Sequence, residues 1–334
     1  MNKFEYVQAQ SIEDAYQRLG NDYSSVKIMA GGTDLIGEMK EHIAQPQTIV
    51  SLSRLDSLIG IREESASIRI GVLTPLSEIA RHPVIRDRYA ALAQAAASVG
   101  SPQIRHAGTL GGNLCQRPRC WYYRDEQYSC LKKGGSICYS IAGKNKYHAV
   151  LGGGPCFIVH PSDCAPALVA LGASVSIQGA DGPRAMLLED FFVLPQTNFL
   201  RENVLKSQEI VTEIEIPAMP LRSAYIKFKE RDGFDWALAS AAAALEIKNG
   251  ICEKASLVLG GVAPAPWRAK KTEEFLQGKT IDESIARQAG ELALDGAIPL
   301  SDNQEKVDIA KAIVKTAILS LKEGTTVIQS PYLY

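Results

Sequence analysis

Residues 107–163 bring together the side chains of this chain best suited to chemistry. The stretch opens on AGTLGGNL, contains Cys115, Cys120, Cys130, Cys138 and Cys156, and closes on His160, Pro161, Ser162 and Asp163, with Cys164 directly after. Six of the seven cysteines therefore fall between positions 115 and 164. A glycine-rich loop can hold an anion on converging backbone N–H groups, and a set of thiolates can hold a metal or an iron–sulfur centre. One running into the other points to two adjacent cofactors, and so to electron transfer.

The glycine loop has a counterpart. Ala30, Gly31, Gly32, Thr33 and Asp34 follow a short apolar run and lead into helical spacing, and Gly108, Thr109, Leu110, Gly111, Gly112 and Asn113 share the design. Residues without Cβ let N–H groups converge, while Thr and Asn side chains add donors. A pyrophosphate needs more donors than one helix N-terminus supplies, so two loops from distant parts of the chain would grip it from both sides. Taken singly, each loop reads equally well as a tight turn. Neither is GxGxxG with an acidic residue about 20 positions on, and neither is GxxxxGK[ST], so a Rossmann site and a nucleoside triphosphatase are not indicated.

Cys120, Cys130, Cys138 and Cys156 are separated by 9, 7 and 17 residues, without the CxxC knuckles of structural zinc or of common ferredoxins. Arg117, Arg119, Arg124, Lys132, Lys133, Lys144 and Lys146 lie among them, cations that would offset a negative four-thiolate core. Gly134, Gly135, Gly143 and the glycines at 152–154 allow the backbone to wrap, and Trp121, Tyr122 and Tyr123 can exclude water. Spacing leaves an iron–sulfur cluster, zinc and free thiols all open. Cys115, Cys164 and Cys252 read as small packing residues.

The five histidines, His42, His82, His106, His148 and His160, form no HxxxH pair, and no Gly-x-Ser-x-Gly elbow occurs. His106 and His160 flank the cofactor segments and read as hydrogen-bonded structural residues. Asp163 at a turn can accept from a ribityl chain or a ring N–H, or serve as an ordinary Asx turn or helix cap. Lys227, Lys229 and Arg231 sit on an expected strand, mainly as a solvated face.

The elements that must position these groups follow from length and pattern. At 334 residues two domains are expected, and 46% hydrophobic and 22% charged residues are ordinary for a globular protein. A net charge of −1 gives no support for nucleic-acid binding. No apolar run is long enough for a bilayer, and the first residues lack a signal-peptide core, so a reducing cytoplasm is the default expectation. Strands are expected at 4–7, 26–30, 48–52, 68–72 and 209–217, and helices at 11–19, 35–43, 76–81 and 86–99. Residues 168–178 read as helix turning into strand. After Met219 and Pro220 the pattern becomes a meander, 224–229, 237–247 and 251–262, its last turn carried by Asn249 and Gly250. Helical spacing then occupies 269–277, 281–293 and 303–322.

Together these segments resemble the FAD-binding medium subunit of molybdenum hydroxylases, the xanthine dehydrogenase and carbon monoxide dehydrogenase class. The resemblance is carried by KIMAGGTDLIGEMK (27–40), IGVLTPLSEIA (70–80), QIRHAGTLGGNL (103–114), HPSDCAPALVALGA (160–173), EIVTEIEIP (209–217) and AYIKFKERDGFDWALAS (224–240), in family order. It implies an α+β protein. Residues 1–220 would form a two-lobed FAD-binding domain of the vanillyl-alcohol-oxidase-like type, and 221–334 a smaller domain with a three-stranded antiparallel sheet and helices. It also implies that Ala30, Gly31, Gly32, Thr33, Asp34 and Leu35, with Gly108, Thr109, Gly111, Gly112 and Asn113, hold FAD at its pyrophosphate. Asp163 would contact the flavin or its ribityl chain, Ile210 or Val211 would line the isoalloxazine, and Lys227 would approach it.

The segment from about 115 to 157 resembles a subgroup with an added [4Fe-4S] cluster, the 4-hydroxybenzoyl-CoA reductase beta subunit and the flavin subunit of a periplasmic aldehyde oxidoreductase. The RCWYYRD and NKYHA fragments lie closer to the second. By that resemblance Cys120, Cys130, Cys138 and Cys156 are the ligands. The partners implied are a large molybdopterin-binding subunit and a small subunit with two [2Fe-2S] clusters, assembled as a dimer of heterotrimers, with ferredoxin or NAD as an external redox partner. The organic substrate (an aldehyde, an aromatic or N-heterocycle, or 4-hydroxybenzoyl-CoA) would be handled on the large subunit, so no general base for it is expected here. Export with a partner's signal is compatible with this arrangement. Two other readings stay open: a stand-alone flavin oxidase of the p-cresol oxidase type, and a zinc-stapled binding module.

Overall fold

The computed structural model describes residues 1–219, 221–231 and 233–322. The expected domain boundary near Pro220 thus touches a position outside the described residues, as do positions 323–334.

The chain opens with β1 (Glu5–Gln8), α1 (Ile12–Leu19), β2 (Val26–Met29), α2 (Leu35–Lys40) and β3 (Thr48–Ser51). Ser11 caps α1 by accepting a hydrogen bond from the Asp14 amide at 3.1 Å, as its residue type at that place suggests. The three strands form a parallel sheet in the order β1-β3-β2, so β2 ends at the sheet's edge and delivers the first glycine loop there.

Next come β4 (Ile61–Glu63), β5 (Ser67–Gly71), α3 (Leu76–Arg81), α4 (Pro83–Arg88), α5 (Ala90–Ala97), α6 (Pro102–Ala107), α7 (Leu110–Leu114), α8 (Trp121–Arg124) and α9 (Cys164–Ala170). The single helix expected at 86–99 is instead two. The break falls at Tyr89, with φ −132 and ψ 48, and Pro83 opens the first piece. Short helices α6 and α7 escape sequence reading because two glycines sit inside the second of them. After β6 (Ser174–Gly179), β7 (Arg184–Leu187) and β8 (Glu209–Pro217), a second sheet runs β4-β5-β8-β6-β7, antiparallel at every pairing.

The last portion holds β9 (Arg222–Phe228), β10 (Ala239–Lys248), β11 (Ile251–Gly260), β12 (Trp267–Arg268), α10 (Lys270–Leu276), α11 (Glu283–Ala293) and α12 (Glu305–Leu319). Its sheet has four strands, not the expected three: the two-residue β12 pairs with β11. A strand that short has no periodicity to read. Asn249 and Gly250 both have positive φ, 52 and 78, and make the tight hairpin turn between β10 and β11.

Two cores result, and β10 separates them. Ala242 packs into the core of the first portion, while Ala241, Ala243 and Leu245 face the core under α10–α12. Alternate residues of a strand point to opposite faces, and alanine keeps both layers close. Val150 and Leu151, from the cysteine-rich segment, belong to the second core, and both their amides donate to the Val262 carbonyl at 2.9 and 3.1 Å. That segment is therefore built onto the C-terminal elements as well as onto the N-terminal ones. No helix among the described residues is long and apolar enough to cross a membrane.

Candidate functional site

The two glycine loops meet. A Cβ on Gly31 would stand 1.8 Å from the carbonyl oxygen of Ala107, so only glycine permits this approach of the first loop to the end of α6. Gly32 follows with φ 71, a left-handed turn that aims the chain into α2. Among the described residues the backbone N–H groups of Gly31, Gly32, Thr33 and Asp34 have no protein acceptor. This is the donor-rich cradle an anion needs.

The second loop works differently from the expectation. The amides of Gly108, Gly111 and Asn113 donate to the carbonyls of Ile104, Val72 and Thr109 at 2.6, 2.8 and 2.9 Å. That of Gly112 donates to the Thr109 hydroxyl at 3.2 Å. The loop closes as a capped helical turn and spends its N–H groups apart from that of Thr109, so its contribution is mainly shape and side chains. Asn113 is buried, and its side-chain oxygen accepts from the Ser162 hydroxyl at 2.6 Å, which ties the loop to the turn before Asp163.

Thr33, Asp34, Gly108, Thr109, Gly112 and Asn113 line a cavity of about 330 Å³ whose far wall includes Asp163 and Lys227. A larger cavity of about 580 Å³ adjoins it and shares Arg119, Pro161, Asp163, Asp235 and Trp236. The Arg119 guanidinium lies 4.9 Å from the Trp236 ring centroid, across the junction. Ala30 and Leu35 frame the first loop, Leu35 as the first residue of α2.

Three predicted site residues turn inward to protein partners. The Asp34 carboxylate accepts from the Arg117 amide, Arg119 Nη1 and Arg124 Nη2, each at 2.7 Å. Asp163 accepts from Tyr225 Oη at 2.6 Å and from Lys227 Nζ at 2.8 Å, with both members of the ion pair 5% exposed. Lys227 also donates to the Ser98 carbonyl at 3.1 Å. Ile210 and Val211 lie 3% and 6% exposed in the first core, on β8, and are not among the side chains lining the two cavities. The reason is that β8 is flanked by β5 and β6 and buried on both faces over this stretch.

The four cysteines named as ligands converge. Cys120, Cys130, Cys138 and Cys156 all line one small cavity, with Tyr122, Lys132 and His148 among its other walls. Burial pushes the Cys120 thiol up to about 11. A hydrogen bond from Cys156 holds the Cys138 thiol below its ordinary range, with Ser140 adding to the effect. Among the described residues no three His, Cys, Asp or Glu side chains gather closely enough to hold one metal ion. Zinc requires its sulfurs at about 2.3 Å from a single point. Four thiols lining one cavity are a donor set of the kind that an iron–sulfur core would take.

Of the cations of this segment, Lys132 stands beside the thiols, in the wall of their cavity, while it and several others are held by carboxylates. Arg117 and Lys132 pair with buried Glu202 at 2.7 and 2.5 Å, and Lys146 pairs with Glu230. Together with the Asp34 contacts they fasten the segment to both glycine-loop and sheet elements. Cys164 and Cys252 are fully buried packing residues, and Cys115, half-buried, packs against the first core. His160 is buried edge-on to Phe192, and burial draws its pKa down to about 4. His106 meets the Ser77 hydroxyl at 3.1 Å. Sequence reasoning passed over Arg119, Tyr225 and Trp236 as site residues. Trp236 and Tyr225 lay inside a quoted segment, but nothing local marks which of its side chains reach a cavity.

A glycine cradle with unspent N–H groups, opening on a cleft that touches a thiol-lined cavity, defines a cofactor-binding protein. Comparison with known proteins makes the class specific. Residues 2–219 match the family described as FAD binding domain in molybdopterin dehydrogenase, and residues 223–319 match the CO dehydrogenase flavoprotein C-terminal domain. The aldehyde oxidoreductase FAD-binding subunit PaoB of Escherichia coli (strain K12) is 31% identical over 87% of this chain and 90% of its own length. The carbon monoxide dehydrogenase medium chain of Hydrogenophaga pseudoflava is 27% identical over 93% of each. The solved carbon monoxide dehydrogenase from the same organism superposes with a TM-score of 0.76 at 27% identity, over 96% of this chain and 97% of that one. The chain belongs to the FAD-binding medium subunits of the molybdenum hydroxylase family, and its cofactor class is FAD.

Proposed function

We propose that this chain is the electron-transfer subunit of a multisubunit molybdenum hydroxylase, binding FAD along the joined cavities and a [4Fe-4S] cluster on Cys120, Cys130, Cys138 and Cys156. The observation that carries the reading is continuity: Cys120, His148 and Ile158 line both the thiol cavity and the larger cavity of the cleft. When bound, flavin supplies one-electron exchange with iron–sulfur centres and two-electron exchange with a hydride carrier, chemistry no side chain here offers.

The chain's own residues bind and position. The free amides of Gly31, Gly32, Thr33 and Asp34 take the pyrophosphate, while Thr109 and Asn113 shape the opposite wall. Asp163 and Lys227 present a fixed pair of opposite charges in the wall of the glycine-loop cavity, with Asp163 reaching the larger cavity as well. Arg119 and Trp236 cover the junction of the cavities and limit water.

The partners proposed are a large molybdopterin-binding subunit and a small subunit with two [2Fe-2S] clusters. Support comes from the relatives, named as a medium chain and as FAD-binding subunits of dehydrogenases and oxidoreductases. The substrate would be an aldehyde, an aromatic or N-heterocycle, or 4-hydroxybenzoyl-CoA, handled on the large subunit, and ferredoxin or NAD would be the external partner.

The test is flavin, iron and molybdenum analysis of the complex that co-purifies with this chain, prepared without oxygen. Flavin absorbance with a broad iron–sulfur shoulder is expected, and Cys130→Ser should lower the shoulder and the iron content to what the small subunit's [2Fe-2S] clusters supply, and keep the flavin. Material with neither flavin nor iron would overturn the reading.

A further inference from the structure

One buried side chain at the wall between the two cavities has no role so far. His148 is 4% exposed, and its Nε2 lies 3.2 Å from Cys120 Sγ. Its other ring nitrogen, Nδ1, is buried and has no partner among the described residues. A neutral imidazole carries one N–H, and a buried donor without an acceptor is costly. With nothing to receive a proton from Nδ1, the tautomer that satisfies the ring places the hydrogen on Nε2, directed at the sulfur.

The backbone holds the ring there. The His148 amide donates to the Asn145 carbonyl at 2.9 Å. Its carbonyl accepts from Asn303 Nδ2 at 3.2 Å and from Lys306 Nζ at 2.9 Å. Lys306, on α12, is only 2% exposed, so this anchor lies in the interior and comes from the C-terminal elements.

We infer that His148 is a positioning residue that donates a hydrogen bond to the Cys120 thiolate and thereby raises the reduction potential of the iron–sulfur centre. This rests on the four-cysteine reading above. Reduction adds negative charge that is shared with the ligand sulfurs, and a donor fixed on one sulfur stabilises the reduced form. Because His148 and Cys120 also line the large cavity of the cleft, the tuned sulfur is the one beside the proposed flavin site.

The test compares wild type, His148→Leu and His148→Gln in the intact complex, by iron content, electron paramagnetic resonance of the reduced cluster, and potentiometric titration. Leu removes the donor, whereas Gln keeps an N–H at comparable reach. The expected result is a lower cluster midpoint potential and an altered resonance signal in the Leu variant, return toward wild type with Gln, and an unchanged flavin potential. Should Leu lose iron while Gln retains it, the donor is again what separates them, and the inference stands. Unchanged potential and signal in an iron-loaded Leu variant would overturn it, as would equal loss of iron from both variants. Wild type with no iron and no resonance signal beyond those of the small subunit's [2Fe-2S] clusters would sink the cluster reading and this one with it, a result easily told apart from the other outcomes.

Discussion

Asp163 and Lys227 form a buried ion pair, Oδ2 to Nζ at 2.8 Å, at the wall of the cavity formed by the glycine loops. Asp163 stands just before α9 and Lys227 near the end of β9, so the pair joins the N-terminal portion to the C-terminal sheet. Tyr225 completes the carboxylate's hydrogen bonding at 2.6 Å. The geometry makes a two-part demand: each charge is tolerated in the interior because the other is present.

Removing one member should therefore cost more than removing both. Asp163→Ala strands a buried ammonium and should lower unfolding free energy by about 3–5 kcal/mol. Asp163→Ala with Lys227→Met should recover a substantial part of that loss. Denaturant titration of the four-member cycle reads the coupling, and strict additivity of the two single losses would contradict a buried pair.

Gly31→Ala forces a methyl group to within 1.8 Å of the Ala107 carbonyl. Backbone must shift, at a cost of about 1–3 kcal/mol, and the flavin-to-protein ratio should fall. Gly37, inside α2, is the control: a Cβ there meets nothing within 4 Å, so Gly37→Ala should be neutral or stabilising by up to about 1 kcal/mol. Equal flavin retention in both variants would show that the approach of the loops is unnecessary.

Asp34→Ala releases the Arg117 amide and two guanidiniums at once. Loss of about 2–3 kcal/mol is expected from charged hydrogen bonds of this kind. Because all three donors come from the cysteine-rich segment, cleavage of that segment by a protease should accelerate more than the global loss explains. Cleavage in step with global unfolding would argue against such a local tie.

At the start of β8, Glu209 accepts from Arg184 Nε and Nη2 at 2.8 and 2.7 Å. The Arg184 hydrogen bonds, offset in part by burial, hold its carboxyl below the usual glutamate range. The folded state thus binds this proton less readily than the unfolded chain. The pair's stabilisation is fully present above the unfolded value and fades as pH falls through the lower folded value. Wild type should exceed Glu209→Gln in thermal midpoint at pH 7, and the two curves should converge in acid. A gap that persists unchanged down to pH 3 would mean that charge is not the source.

Much of this organisation is legible one residue at a time. Ser11 caps a helix, Asn249 and Gly250 turn a hairpin, and strands are expected at 26–30 and 209–217 close to where β2 and β8 lie. Each is a local preference of backbone or hydrophobic period. The break at Tyr89 and the two-residue β12 are not legible, because both are imposed by packing rather than propensity. The convergence of four cysteines was expected from a resemblance, since spacings of 9, 7 and 17 residues do not by themselves define a cavity.

The sequence by itself determined the inventory: two glycine loops, six clustered cysteines, an alternation of helix and strand followed by a meander, and segments similar to a flavoprotein family. Tertiary structure decided who meets whom. It directed Asp34 to arginines, paired Asp163 with Lys227, kept Ile210 and Val211 in the core, and set His148 on Cys120. Local sequence sets torsional preference and polarity over a few residues. A partner far along the chain is chosen only when burial removes water and leaves each charge or donor one remaining group to satisfy it.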